Sequence, residues 1–431
     1  MSRTEVSAVS VVRSDNQAGS PSRAIAMKLL VRVARLLFVH GETSEGTRRS
    51  VERLGEALGT PVMFTARWGN IRLQPNEYTF GAEILADPVA IDIGRVNATE
   101  CLVDDLCNDR VQADQALQQL DAIGRMPPVS LLRFAIMAGA GAAALAVIFG
   151  AVHPLTVALV AISACFGACA RRGVSHLSSS SFLQPFVAAL LAGAIVSLVN
   201  LLHLPASQHL LAACPCMVLV PGPHFLNGTI DLLRARIALG ASRVLFAVLI
   251  VVAISAGLFI GLSIGTTSFE EVRSAAAVPL IYDVCAAGVA VAAYGSFFNM
   301  PWRMLSMPIG IGMAAHALRW GLLDMGASVY IGAFAACALV GTCTAVFSHR
   351  LRVPFGASSF AAVVSLIPGI FMFQTAADAL AVIANKSDLS AMVLTEITGN
   401  AVTAALILLA MTAGLIVPKM MFDYWLAARP H

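Results

Sequence analysis

The residues of this chain whose types could do chemistry are carboxylates and amides set in long apolar runs. Asp283 has apolar neighbours on both sides apart from Tyr282 and is the tenth residue of an apolar segment placed at 274–296. Inserting a carboxylate at the centre of a hydrocarbon layer costs about 2.5 kcal/mol or more, so one kept there faces a cavity, a partner or a proton path. Desolvation favours the neutral form of such a group, which suits a side chain that takes up and releases a proton. Asp231, Asp378 and Glu396 complete the set of proton-coupling candidates. Asp231 also has a structural explanation, because Arg234 lies three residues on, at pairing distance along a helix. Asp378 has no cation within four residues, and Glu396 stands with Thr395, Thr398 and Asn400 near the start of the last apolar segment, its expected outer end.

Asp231 and Asp378 belong to a stretch that occurs twice. Leu219-Val220-Pro221-Gly222-Pro223-His224-Phe225-Leu226-Asn227 leads to Asp231-Leu232-Leu233, and a weaker copy runs from Leu366-Ile367-Pro368-Gly369 through Gln374 to Asp378-Ala379-Leu380. The offset from 219 to 366 is 147, with no gap across the motif. Each Pro-Gly pair follows an apolar run of about 11 residues, which at about 1.5 Å per helical residue crosses half of a ~30 Å hydrocarbon core. Proline removes a backbone donor and glycine relaxes the helix. The spacing therefore predicts two membrane helices broken near the midplane, where backbone groups become available to a polar solute. His224, Asn227 and Asp231 follow at spacings of three and four and share a helical face, as do Gln374 and Asp378.

These residues need a membrane scaffold to position them, and the composition provides one. A chain of 431 residues that is 58% hydrophobic and 12% charged is an integral membrane protein, not a secreted or nucleic-acid-binding one. Its net charge of +3 is small. The nine cysteines are scattered; Cys214-Pro215-Cys216 has no second pair beside it, so neither a metal nor a redox role is expected. Gly261-Leu262-Ser263-Ile264-Gly265 fits a nucleophile-elbow pattern but ends a membrane helix. No Walker sequence, His-Glu-x-x-His or dinucleotide fingerprint occurs, which argues against an ATP-driven pump, the common hydrolases and any cofactor.

The predicted fold is mainly α, ten transmembrane helices preceded by a small α/β domain. Residues 1–23 are polar, rich in Ser and without a signal core, a disordered tail that starts in the cytosol. In 24–126, Leu29, Leu30, Val33, Leu36 and Leu37 recur at helical spacing, as do Val51, Leu54 and Leu58 before Gly59. Strands are expected at Val62–Trp68 and Ile71–Phe80 around a Gly69-Asn70 turn, with a third at Val89–Ile93, and helices around Cys101–Leu106 and Ala113–Ile123. Arg125-Met126-Pro127-Pro128 closes the domain. Ten segments follow near 131–151, 154–170, 182–202, 208–232, 241–264, 274–296, 303–322, 327–347, 357–382 and 393–417. Pro154 and Pro301, and Ala170 and Ala317, share the 147-residue offset. Five spans per repeat is an odd number, so the second repeat (266–422) enters the membrane upside down relative to the first (127–265). A tail at 423–431 completes the chain. With a cytoplasmic N-terminus, inner loops and ends carry Arg133, Arg171, Arg172, Arg234, Arg236, Arg243, Arg303, Arg350, Arg352, Lys419 and Arg429; outer loops carry Arg273, Arg319 and Lys386. That asymmetry fits positive-inside orientation with both termini cytoplasmic.

A soluble N-terminal domain, five plus five spans, and a Pro-Gly motif followed by an amide and an Asp in the fourth span of each half resemble the threonine/serine exporter family. The resemblance covers about 27–422, nearly the whole chain. It implies a bacterial inner-membrane protein that exports small amino acids on the proton motive force; related two-subunit members are connected with dicarboxylate export. Pro223 and His224 facing Ile370 and Phe371 break the symmetry of the two motifs. A zwitterionic amino acid needs acceptors for its ammonium and donors for its carboxylate, and a broken helix offers both as last carbonyls and first amides. The expected substrate site is therefore Pro221, Gly222, His224, Asn227, Pro368, Gly369 and Gln374; the alternative is that the prolines only kink the helices for packing. A dicarboxylate would demand more fixed positive charge near the midplane, since no Arg or Lys falls in the middle third of any segment. From another class, a membrane-anchored enzyme would place its chemistry in 24–126, where His40, Asp92, Arg95 and Asp104-Asp105 are the candidates and form no recognised constellation. The expected partners are a small amino acid, protons and the lipid bilayer, with a homo-oligomer left open and no nucleic acid.

Overall fold

The structure, a computed structural model, describes residues 23–75, 81–151, 153–265, 278–351, 354–383 and 390–428. The expected tail at 1–22 lies outside the described residues. The chain divides into two compact units, Met1–Pro127 and Pro128–His431.

The first unit packs helices on a small sheet. Helices α1 (Arg23–Val39) and α2 (Ser44–Ala57) precede strands β1 (Val62–Arg67), β2 (Gly69–Pro75) and β3 (Ala82–Ala86), which form an antiparallel sheet in the order β1-β2-β3. Helices α3 (Ile93–Cys107) and α4 (Ala113–Gly124) close it. Leu29, Leu30, Val33, Leu37, Val51 and Leu54 are buried together, the stripe that helical periodicity requires. Thr43 caps α2 by accepting from the Gly46 amide, and Gly59, at φ +65°, takes the left-handed turn after it.

Two expectations shift in this unit. The hairpin turns at Trp68-Gly69, one residue early, because Arg67 pairs with Asn70 and Gly69 supplies the positive φ. The third strand is at 82–86, not Val89–Ile93. There Asp92, despite the alternating pattern, caps α3 by accepting from the Arg95 amide, and Ile93 begins the helix.

The regular elements among the described residues of the second unit are all helices. It comprises α5 (Leu131–Ile148), α6 (Pro154–Leu177), α7 (Leu183–Leu201), α8 (Gln208–Met217), α9 (Gly222–Leu233), α10 (Ile237–Ser263), α11 (Leu280–Phe297), α12 (Trp302–Asp324), α13 (Val329–Leu351), α14 (Phe355–Val363), a 3-10 turn (Val364–Leu366), α15 (Gly369–Ile383) and α16 (Ala391–Ala427). Among the described residues, seven of these are long and apolar enough to cross a membrane, and two bent pairs, α8 with α9 and α14 with α15, raise the number to as many as nine. Helix α12, 23 residues and so about 34 Å long, has the length as well. His316, Arg319 and Trp320 dilute its apolar character, and it falls outside that set.

Packing in this unit comes in matched pairs. α7 lies on α10 as α13 lies on α16; α6 on α8 as α12 on α14; α5 on α8 as α11 on α14; and α9 on α10 as α15 on α16. α5 and α11 pack on each other, and the last helix of each set touches the second limb of the other set's bent pair, α10 on α15 and α16 on α9. Two boundaries differ from expectation. α16 continues to Ala427, so the expected tail at 423–431 begins as helix; the Lys419–Asp423 pair four residues apart belongs to this extension. α11 starts at Leu280, with 266–277 outside the described residues.

Candidate functional site

Both Pro-Gly pairs interrupt their spans. α8 and α9 meet at 61°, and residues 358–366 and 369–379 meet at 54°. The local cause is the same in each. The Gly222 amide donates to the Val220 carbonyl at 2.8 Å across Pro221, and the Gly369 amide donates to the Ile367 carbonyl at 2.8 Å across Pro368. Pro221 has φ −79° and ψ 63°, an inverse γ-turn, which reverses the backbone within three residues. Proline fits because φ is fixed near this value and the turn asks no donor of it. Each break thus begins a new helix, α9 or α15, with its first amides at the break.

The two breaks interlock. A Cβ on Gly222 would lie 2.2 Å from Cδ1 of Ile367, and one on Gly369 would lie 3.1 Å from the Met217 side chain. Each glycine receives a side chain of the opposite break; at Gly222 a Cβ would force the Ile367 side chain to shift, and at Gly369 Met217 would have to give by a few tenths of an ångström. Between them Met217, Val220, Val364, Ile367, Gly369 and Tyr294 line a cavity with room for about one water molecule. The Tyr294 hydroxyl, from α11, donates to the Met217 carbonyl at 3.3 Å and so answers a backbone acceptor at the first break.

Beyond the break, α9 is buried from Gly222 to Asp231, including His224, Asn227 and Thr229. The His224 ring stands edge-on to Phe246 of α10 at 5.2 Å between centroids, and the Thr229 hydroxyl meets that of Thr412 on α16 at 2.6 Å. Gln374 is buried and Asp378 half-buried on α15. Asp231 is fully buried at the far end of α9. Its carboxylate lies 2.9 Å from Arg243 Nη1 and 3.5 Å from Arg236 Nη1, two cations that the sequence did not single out as its partners. Arg243 is itself buried, and the pair joins α9 to α10.

Asp283 is buried but sits in the first turn of α11, not mid-segment. What holds it is a partner absent from the sequence reading. His316 on α12, buried, has Nδ1 3.0 Å from Asp283 Oδ2, and its Nε2 lies 2.8 Å from the hydroxyl of Ser365, in the 3-10 turn that ends at the second break. A histidine inside a membrane segment was the available signal, because such residues are rare and face the bundle interior. Glu396 stands apart, half-buried on a largely exposed stretch of α16, with no hydrogen bond or ion pair among the described residues. At one end of the bundle, Arg133 donates to the Met300 carbonyl and stacks over Trp302, while Arg171 and Arg172 lie over Phe297 and Phe134.

A threonine/serine exporter family model matches residues 28–265, more than half of the chain, and a second, described as Threonine/Serine exporter, ThrE, matches 283–421. The chain belongs to the threonine/serine exporter family. No curated protein and no solved structure matches it significantly. Membership in the exporter family points to a transporter rather than an enzyme, and the two matches divide between α10 and α11, where the packing pattern also begins its second round.

In this exporter the candidates for an enzyme in 24–126 are engaged in holding the domain. His40 Nδ1 lies 2.8 Å from the Leu36 carbonyl and Nε2 2.9 Å from Arg95, while Arg95 pairs with Asp92 and donates to the Met126 carbonyl. Burial lowers the His40 pKa, and a neutral ring is what leaves Nε2 able to accept from Arg95. Glu100 accepts from the Ser50 hydroxyl at 2.7 and 2.8 Å, and burial together with the negative charge of Glu42 pushes its pKa up to about 8.

Proposed function

We propose that the chain exports small hydroxylated amino acids, threonine and serine, across the bacterial inner membrane by alternating access driven by the proton motive force. The observation that carries this is the duplicated break: two bent spans, with the same turn at positions 147 residues apart, each glycine seated against the other break. With α12 as a span the bundle has ten, five before and five after the middle of the chain, and an odd number per half inverts the second half. The matched helix pairs support that arrangement, as does the collection of Arg133, Arg171 and Arg172 at one end, which the positive-inside tendency assigns to the cytosol together with both termini.

The substrate site in this reading lies at Pro221-Gly222 and Pro368-Gly369, where first amides take the carboxylate and released carbonyls take the ammonium. His224, Asn227 and Gln374 supply side-chain contacts as the limbs part. The cavity has room for about one water, so the structure represents a closed state and an amino acid enters only after the breaks separate. A dicarboxylate would need fixed cations here. The side chains around the cavity are apolar apart from Tyr294, and the buried Arg243 is committed to Asp231. Asp283 is the proposed proton carrier; Asp231, held by two guanidinium groups, is the proposed structural anchor of α9, and Asp378 and Glu396 are secondary carriers.

Purified protein in proteoliposomes, assayed by counterflow of labelled threonine, serine and succinate and by accumulation under an imposed pH gradient, tests this. Exchange of threonine and serine, with accumulation that follows the gradient, is expected; exchange of succinate alone would overturn the substrate assignment.

A further inference from the structure

Three buried polar side chains from three different elements make one hydrogen-bonded line through the second half of the bundle. Asp283 comes from the start of α11, His316 from α12, and Ser365 from the turn three residues before Pro368. All three are nearly inaccessible, at 4%, 1% and 6% exposure. With Asp283 ionised, its carboxylate only accepts; the ring hydrogen then lies on Nδ1 toward Asp283, and Nε2 accepts from the Ser365 hydroxyl. The order matches that of a hydrolase triad, but the hydroxyl is packed into the bundle, leaving no approach for a substrate carbonyl.

We propose that Asp283 and His316 together hold the transported proton, and that His316 is the positioning residue that conveys its presence through Ser365 to the break at Pro368-Gly369. This rests on the proton-coupled reading above. The step balances simply. One proton from the aqueous phase adds to the carboxylate–imidazole pair and takes its charge from −1 to 0, and the same proton leaves to the other side. With the added proton on the imidazole, Nε2 becomes a donor. The Ser365 hydroxyl must then accept from it and swing its own hydrogen to another acceptor. That reversal occurs in the turn whose last residue precedes Ile367, the side chain seated against Gly222. Proton occupancy is thereby tied to the contact that closes the two breaks.

Among the described residues, few other charges lie on the elements packed against the pair. On α12 itself Arg319 lies three residues beyond His316, interacts electrostatically with Asp283, and rests its stem against the Gly332 position of α13. α11 adds Tyr282 and Cys285, both exposed, and α13 adds Tyr330 and the buried Cys337. α14 and the turn at 364–366 contain no titratable residue.

The test uses the full chain in proteoliposomes with labelled threonine, comparing gradient-free counterflow across a pH series with accumulation under a pH gradient. His316→Gln is expected to lower accumulation relative to its own counterflow by about tenfold or more, and the pH profile of its counterflow flattens. Ser365→Ala, which removes one oxygen, is expected to keep the wild-type pH profile but lose accumulation, because the proton still binds and no longer reaches the break. Wild-type accumulation in either variant overturns the relay while leaving proton coupling itself intact. Wild-type protein that ignores the gradient overturns proton coupling, and the relay with it.

Discussion

Single residues in this protein are read best by what opposes their charge. Asp231 and Asp283 look alike in the sequence, each an acid in an apolar setting, yet the ion pairs of one are with guanidinium groups, while the other bonds an imidazole, with Arg319 acting on it electrostatically. Permanent cations tie the first carboxylate to a neighbouring helix, whereas the partner of the second is a ring that can itself take up a proton. Glu100 shows the same logic outside the membrane. Its folded pKa of about 8 stands above its ordinary 4.5, so between those values the folded protein binds a proton that the unfolded chain has released. Stability from this group is complete below about pH 4.5 and is lost as pH rises through 8. Melting of the detergent-solubilised full chain at pH 6 and pH 8.5 is expected to show a drop that Glu100→Gln removes. An equal drop in the variant would contradict the assignment.

At the scale of elements, the sequence was most informative where proline and glycine punctuate an apolar run. Pro221-Gly222 and Pro368-Gly369 foretold two breaks because their backbone chemistry is local. Contacts between elements were not local and were missed: Arg243 on α10 for Asp231 on α9, His316 on α12 for Asp283 on α11, and Ser365 at the break. Alternation misled at Val89–Ile93, where one Asp cap outweighed five residues of strand pattern. The ion pair between α9 and α10 gives a prediction at this scale. Arg243→Met strips a buried carboxylate of its closest cation and should cost about 3 kcal/mol of stability, seen as a lower melting temperature. Adding Asp231→Leu should recover part of that loss. A double variant no more stable than the single one would show that the pair is not what joins these helices.

For the whole molecule, the claim is that solute passes where two interrupted spans meet, each from one half of the bundle. The helix pairs that recur in the second half, and two family matches that part at the same place, agree with an origin by duplication. The halves need not be equal, and they are not: Pro223-His224 stands opposite Ile370-Phe371, and the Asp283–His316–Ser365 line belongs to the second half. In the proposed mechanism one half carries the proton while both shape the passage. The direct measurement is a crosslink between the breaks. Cysteines at Gly222 and Ile367, in a chain with its nine native cysteines replaced, bring thiols to positions that touch in the closed state. Oxidation of this variant in proteoliposomes should abolish threonine counterflow and reduction should restore it, with each single cysteine insensitive to both. A crosslinked protein that exchanges threonine at the rate of the reduced one would contradict passage between the breaks.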